Sequence, residues 1–278
     1  MELRHLKNNI YYLFNEQDIK AANLGVIKNG NKVILIDSGL NDQAASKALT
    51  TLREQGLEPE LIINTHVHRD HYGGNTYFKN NTRAKIYIPE LIELEVYKEI
   101  NSDFKRVTGL TPLKYFENNF LLTELSRIDG VLKLDQKKFN WQGIELRVVP
   151  LPGHCPNQIG IAVDNVLFCG DALFSEEFIA DHKVSFHANM YHQKELLYWL
   201  MTTDYGLYVP AHGVATSDIN GLVQVNLEEI KEIEIFLLVN LKEPKTIEEL
   251  LIELSKEYGI DITKKFKYYI SRMILKGF

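Results

Sequence analysis

A short apolar strand that runs straight into a cluster of histidines constrains this chain more than any other feature. Leu61 to Asn64 reads as a strand buried on both faces, and Thr65-His66-Val67-His68-Arg69-Asp70-His71 follows at once. The pattern is HxHxDH, four possible metal ligands within six residues. Side-chain alternation in an extended loop can aim His66 and His68 at one point. Asp70 and His71 lie past the bend and can serve a second, adjacent point. Gly73-Gly74 lets backbone pack closely there. Imidazole nitrogens suit zinc, iron, nickel or copper, and the carboxylate adds hard character. An ordinary polar turn does not concentrate ligands in this way.

Three later positions share one context. Pro152-Gly153-His154 follows the predicted strand Ile144 to Val149. Gly170-Asp171 follows Val166 to Cys169, and Pro210-Ala211-His212-Gly213 follows Tyr208-Val209. Each ligand candidate is expected just past a strand end, where sites assemble in α/β folds.

The remaining chain alternates strands and helices up to about residue 221. Strands are expected at Ile10 to Phe14, Leu24 to Lys28, Lys32 to Ile36, Lys85 to Ile88 and Ile159 to Val163. Asn29-Gly30-Asn31 and Asp164-Asn165 read as hairpin turns. Helices are expected at Gln43 to Gln55, with Gly56 at its end, at Pro89 to Asn101 and at Gln193 to Thr203. Residues 101 to 140 carry Phe104, Leu110, Leu113, Tyr115, Phe116, Phe120 and Leu121 without a clean period, so covering helices and loops are expected there. After Gly221 the pattern is helical throughout. Leu222 to Leu241 forms a connecting helix, Thr246 and Glu249 make a capping box, and Ile247, Leu250, Leu251 and Leu254 lie on one helix face. Phe266, Tyr269, Ile270, Met273 and Ile274 repeat that spacing. The expected division is a catalytic domain over 1–221 and a helical extension over 222–278.

Taken together, Asp37, the HxHxDH of residues 66 to 71, His154, Asp171 and His212 resemble the metallo-β-lactamase-fold hydrolase superfamily over roughly residues 10 to 220. The resemblance implies a four-layer αβ/βα sandwich with the site at one edge of two sheets. It implies that His66, His68 and His154 hold one metal, that Asp70, His71 and His212 hold a second, and that Asp171 bridges them. Asp37 would orient the HxHxDH loop without binding metal. Two divalent ions about 3.5–4 Å apart, zinc first with iron or manganese as alternatives, would bridge a water and lower its pKa toward ~7. That hydroxide would cleave a small ester, thioester or lactone, with Asp70 orienting it or shuttling its proton.

Glyoxalase II-like thioesterases and persulfide dioxygenases resemble this site but usually continue past GD-x-LF with a GCGR-like stretch. Here Gly170 to Phe174 is followed by Ser175-Glu176-Glu177-Phe178, a departure that weighs against glutathione-thiol substrates. A dioxygenase would use a single iron on His66, His154 and Asp171. The tail resembles a winged-helix appendage whose wing is missing after Met273 to Phe278. Its Lys264, Lys265, Lys267, Arg272 and Lys276 raise the alternative of a nuclease or regulator using a basic helix. A net charge of −6 weighs against nucleic acid. The tail is otherwise expected to cover the site mouth or to form a homodimer contact.

Two cysteines in 278 residues fit a reducing compartment, and Cys155 and Cys169 read as buried structural thiols. Met1 to His5 lacks an apolar signal core, and no apolar run approaches the ~18 residues of a membrane span. The expectation is a cytoplasmic protein acting on a small molecule. His182, His187 and His192, spaced by five, scatter around a helix axis and suggest no third metal site. His187 reads as an ordinary loop histidine or as lining the site mouth.

Overall fold

The computed structural model describes residues 1–18, 21–90 and 127–278. A seven-stranded sheet runs in chain order, β1 (Glu2–Lys7), β2 (Ile10–Phe14), β3 (Leu24–Asn29), β4 (Lys32–Ile36), β5 (Glu58–Ile63), β6 (Lys85–Pro89) and β7 (Gly130–Leu132). β1 to β4 pair antiparallel, and β4 to β7 pair parallel. A five-stranded sheet has the order β12-β11-β10-β9-β8, with β8 (Lys138–Trp141), β9 (Ile144–Pro150), β10 (Ile159–Val163), β11 (Val166–Phe174) and β12 (Leu207–His212).

Continuous apolar runs place the sheets in the middle of the molecule, because strict alternation then buries both faces of a strand. In β4, Ile34 and Ile36 point into the inter-sheet core with Leu61, Ile63, Ile161 and Phe168. Val33 and Leu35 point the other way, into a core shared with Ala45, Ala48, Leu49 and Leu52 of helix α1 (Asp42–Glu54). β11 divides likewise: Val166 and Phe168 face the inter-sheet core, while Leu167 and Cys169 face α5 (Met190–Leu200) and α6 (Ile219–Asn240). Each such buried aliphatic side chain contributes about 1.5–3 kcal/mol. The layers are therefore helix, sheet, sheet, helix, the expected sandwich. Short helices α2 (Arg69–Tyr72), α3 (Asn75–Asn81) and α4 (Glu176–His182) complete this part.

The Asp164-Asn165 turn has positive φ at both residues, 49° and 68°, as a two-residue hairpin requires. α1 is capped by the Asn41 side chain, which accepts from the Ala44 N–H, and it ends before Gly56 at φ 68°. α6 crosses position 221. Its first half packs Ile219, Val223 and Ile230 on the five-stranded sheet, and its second half packs Ile233 and Phe236 with Val184. α7 (Ile247–Tyr258) carries the capping box at Thr246 and Glu249 and buries Leu250, Leu251 and Leu254. α8 (Lys265–Gly277) buries Ile274 in the same cluster. Arg272 of α8 pairs with Glu248 at 3.1 Å.

Several elements differ from expectation. Pro89 closes β6, paired with Leu132, instead of starting a helix; a strand's end tolerates a proline. The expected helix beyond residue 90 and the apolar residues Phe104 to Leu121 lie outside the described residues. Within 127–140 the expected loops are present, but they join β7 to the start of β8 and no helix forms there. β1 is a further strand without a sequence expectation. β11 continues five residues beyond Cys169 and β12 runs to His212, through irregular pairing at Gly170↔Pro210. β12 is an edge strand, where the missing proline N–H leaves no ladder bond broken.

Candidate metal centre

The loop leaving β5 delivers His66 and His68, and the single turn of α2 delivers Asp70 and His71. His154 comes from the β9–β10 loop. Asp171 lies inside β11 and His212 is the last residue of β12, so both stand within extended strands rather than past them. The seven residues form two adjoining groups. The ligand atoms of His66, His68 and His154 lie within 4.8 Å of one another, as do those of Asp70, His71, Asp171 and His212. All are buried except Asp70, which is half-buried. The His66 and His71 rings, one from each group, are 4.0 Å apart.

Asp171 stands between the groups. Its Oδ1 is 3.2 Å from His71 Nε2 and 3.5 Å from His212 Nε2, while its Oδ2 is 3.4 Å from His154 Nε2. The Asp70 Oδ2 is 3.2 Å from His212 Nε2 and 3.6 Å from His71 Nε2.

Hydrogen bonds behind the rings choose which nitrogen faces inward. His154 Nδ1 donates to the Phe186 carbonyl at 2.8 Å, and His71 Nδ1 donates to Asp37 Oδ2 at 2.8 Å. Both leave Nε2 toward the centre, an arrangement that fixes ligand tautomers. Asp37 Oδ1 also accepts from the Thr65 N–H at 2.7 Å. The His71 carbonyl accepts from Ser38 N at 2.8 Å, Ser38 Oγ at 3.1 Å and Asn64 Nδ2 at 2.8 Å. Asn23 Nδ2 donates to the Pro210 and Gly213 carbonyls, clamping the strand end that carries His212.

Charge separates the two groups. Burial, then the neighbouring His71 and His68 rings, push His66 well below the ordinary histidine value. Burial pushes His68 down to about 3, and it lowers His154 against the pull of Asp171. All three are neutral, with lone pairs available to a cation. In the second group burial opposes ionisation of every member, but mutual attraction outweighs it. Asp171, Asp70 and Asp37 hold His71 well above its usual range, and Asp171 and Asp70 raise His212. The same rings hold Asp171 and Asp70 below the usual carboxylate range.

The donor set fits divalent metal. His66 Nε2, His71 Nε2 and Asp171 Oδ1 are buried without a well-formed hydrogen bond, the last two facing each other at 3.2 Å. Leaving such atoms unmatched costs about 1–3 kcal/mol each, and a shared cation removes the penalty.

A cleft of about 690 Å³ leads to these groups. Phe174, Phe178 and Phe186 line one side, and Lys47 and Arg69 line another. Of the remaining histidines, His182 lines the cleft, His192 is exposed, and His187 is 1% exposed behind the site rather than at its mouth. Cys155 and Cys169 are buried free thiols, and burial pushes Cys169 up to about 12. Ser38, Asn64, Asn23 and Phe186 were not expected at the site. Asn64 had a signal, a polar residue closing an apolar strand. Phe186 had none, because it acts through its carbonyl.

Residues 19–212 match the family model of the metallo-beta-lactamase superfamily. The chain is 30% identical to the Glyoxylase B2 of Dictyostelium discoideum over 154 residues, 51% of this chain and 48% of that one. It is 27% identical to a hydroxyacylglutathione hydrolase of Nitrosomonas europaea over 150 residues, 54% of this chain and 44% of the relative. The chain thus spans about half the length of the curated relatives it matches. A metallo-beta-lactamase family protein from Thermus thermophilus shares the fold with a TM-score of 0.70 at 22% identity, covering 96% of this chain and 92% of the other.

Proposed function

Because the chain belongs to the metallo-beta-lactamase superfamily, we propose that it is a dinuclear metal-dependent hydrolase that cleaves a small ester, thioester or lactone. The observation that carries this reading is the Asp171 carboxylate, whose two oxygens face different histidine groups. In this reading His66, His68 and His154 hold one ion, Asp70, His71 and His212 hold the other, and Asp171 serves both. Five imidazoles and two carboxylates suit zinc first, with manganese or iron as alternatives. Bound there, such ions supply Lewis acidity and acidify a water near neutral pH.

The protein's own groups do the rest. Asp70 is ionised and half-buried, so its carboxylate can accept a hydrogen bond from the attacking water and orient it toward the scissile carbonyl. Asp37 and the Phe186 carbonyl hold the His71 and His154 rings against rotation. Phe174, Phe178 and Phe186 keep bulk water from one side of the cleft, which strengthens charge interactions inside it. Residues 1–221 form the catalytic unit of this reading and 222–278 an extension packed on it. Among the described residues no helix is long and apolar enough to cross a membrane. We read the substrate as a small molecule and the setting as cytoplasmic, with a homodimer as the assembly to look for.

The test is a panel of carboxylic esters, thioesters, lactones and phosphodiesters offered to purified full-length protein. Turnover of a carboxylic ester, thioester or lactone that chelation abolishes and zinc or manganese restores is the expected result. Oxygen consumption on a persulfide with a single bound iron, or turnover of phosphodiesters alone, would overturn it.

A further inference from the structure

The aromatic side of the cleft touches both ligand groups. The Phe186 ring lies 5.6 Å from His154 and 6.0 Å from His68. The Phe178 ring lies 4.6 Å from His212 and nearly parallel to it. Phe174 lies between, 5.8 Å from His154 and 6.1 Å from His212, and stacks on Phe178 at 4.6 Å and 10°. Phe178 and Phe186 are half-buried, so part of each ring is open to the cleft. Phe174 is 2% exposed, so the apolar area open to the cleft beside the ligand groups is that of Phe178 and Phe186.

The C-terminal extension lengthens that surface. Ile270 of α8 lines the same cleft and is half-buried in the cluster that contains Val184 and Phe186. α8 is held close to this wall, because a Cβ on Gly277 would come within 2.5 Å of the His187 carbonyl oxygen. The polar atoms along the wall offer little to a substrate. His182 stacks on Phe178 at 3.8 Å with its Nδ1 engaged by the Phe178 carbonyl, and the Ser185 hydroxyl is sealed from solvent. A hydroxyl-bearing acyl group would lie against carbon here and lose its bonds to water.

We propose that this wall binds an apolar acyl chain of the substrate, and that Ile270 of the C-terminal extension forms part of it. The proposal rests on the hydrolase reading above for the identity of the reacting group, and it names the acyl class that site takes. The extension then belongs to the substrate site and sets chain-length preference.

The experiment has two arms on the zinc-loaded full chain. Calorimetry measures binding of acetate, butyrate, hexanoate, octanoate and decanoate, and kcat/KM is measured for the matching p-nitrophenyl esters. Affinity should rise about threefold per methylene as each carbon leaves water, then level off once the chain has outrun the wall. Ile270→Asp should lower octanoate affinity about tenfold and reduce the octanoate-to-acetate ratio of kcat/KM. Ile270→Ala, a milder change, should lower that ratio about threefold and guards against misfolding of the first variant. Binding that does not depend on chain length, or an equal loss for acetate and octanoate in both variants, would overturn the proposal. Hydrolysis without chain-length preference defeats the acyl wall and leaves the hydrolase reading standing. Graded binding with no hydrolysis of these esters, or of the thioesters and lactones of the panel above, supports the wall and defeats the hydrolase reading.

Discussion

Asp37 and His71 are joined by a buried hydrogen bond of 2.8 Å that links the end of one strand to the turn after another. Asp37 occupies left-handed backbone at φ 67°, a conformation that Asp and Asn tolerate better than most residues. From there its second oxygen accepts from the Thr65 N–H at 2.7 Å. One carboxylate therefore fixes the start of the histidine loop and the tautomer of its last histidine.

Asp37→Asn keeps the backbone conformation but puts an amide donor opposite His71 Nδ1. The His71 proton should then move to Nε2, the nitrogen that faces the second group. Metal affinity of that group is expected to fall about 10–100-fold while the first group keeps its ion. Competition with a chromogenic chelator checks this; two unchanged sites would refute it.

Gly74 packs where no side chain fits. A Cβ there would lie 2.2 Å from the Ser38 carbonyl oxygen and 2.8 Å from Ala45 Cβ. Gly74→Ala should push the turn carrying Asp70 and His71 away from residues 38–45. A destabilisation of about 1–3 kcal/mol is expected in urea unfolding, together with weaker binding of one ion. Wild-type stability in this variant would show that the turn adjusts without strain.

Among the described residues outside the metal centre, Glu229 is a buried acid whose carboxyl burial holds well above the usual carboxylate range. It accepts from the Ser185 N–H at 2.5 Å, and burial pushes its carboxyl from 4.5 up to about 7. Between those values the folded chain holds a proton that the unfolded chain has lost, so stability falls as pH rises. The contribution is complete below pH 4.5 and is lost as pH passes 7, about 3 kcal/mol in all. Glu229→Gln should match wild type near pH 4.5 and be the more stable protein at pH 8. Urea unfolding with chelator present at both pH values measures the difference, and parallel pH profiles would contradict it.

Asp70 is the half-buried member of the ligand set, and it lines the cleft together with His68, His154, Asp171 and His212. Asp70→Ala is expected to lower kcat on an ester substrate by about 100-fold or more, with circular dichroism unchanged. Turnover within twofold of wild type would remove Asp70 from the chemistry.

Much of this arrangement was legible because it is written in side chains. Buried strands such as β4 and β5 announce themselves by unbroken apolar runs, and four candidate ligands packed into residues 66–71 have few other uses. His154, Asp171 and His212 were legible as polar residues beside glycine at strand ends. The extensions of β11 and β12 were not, because Gly170 and Pro210 read as breaks while the ladder carries pairing past both. β1, β7 and β8 are edge strands, and with only one neighbour to bury them they carry weak apolar patterns. Phe186 and Ser38 could not be found at all from composition or period. Phe186 supports a ligand through a backbone carbonyl, and Ser38 does so partly through its N–H, groups that every residue of either kind possesses.

The proposal of a two-ion centre is tested most directly by the metal content of the purified protein, measured by inductively coupled plasma mass spectrometry alongside His68→Ala and His212→Ala. Two divalent ions per wild-type chain and one in each variant is the expected result. A single ion per wild-type chain, retained in His212→Ala, would contradict it.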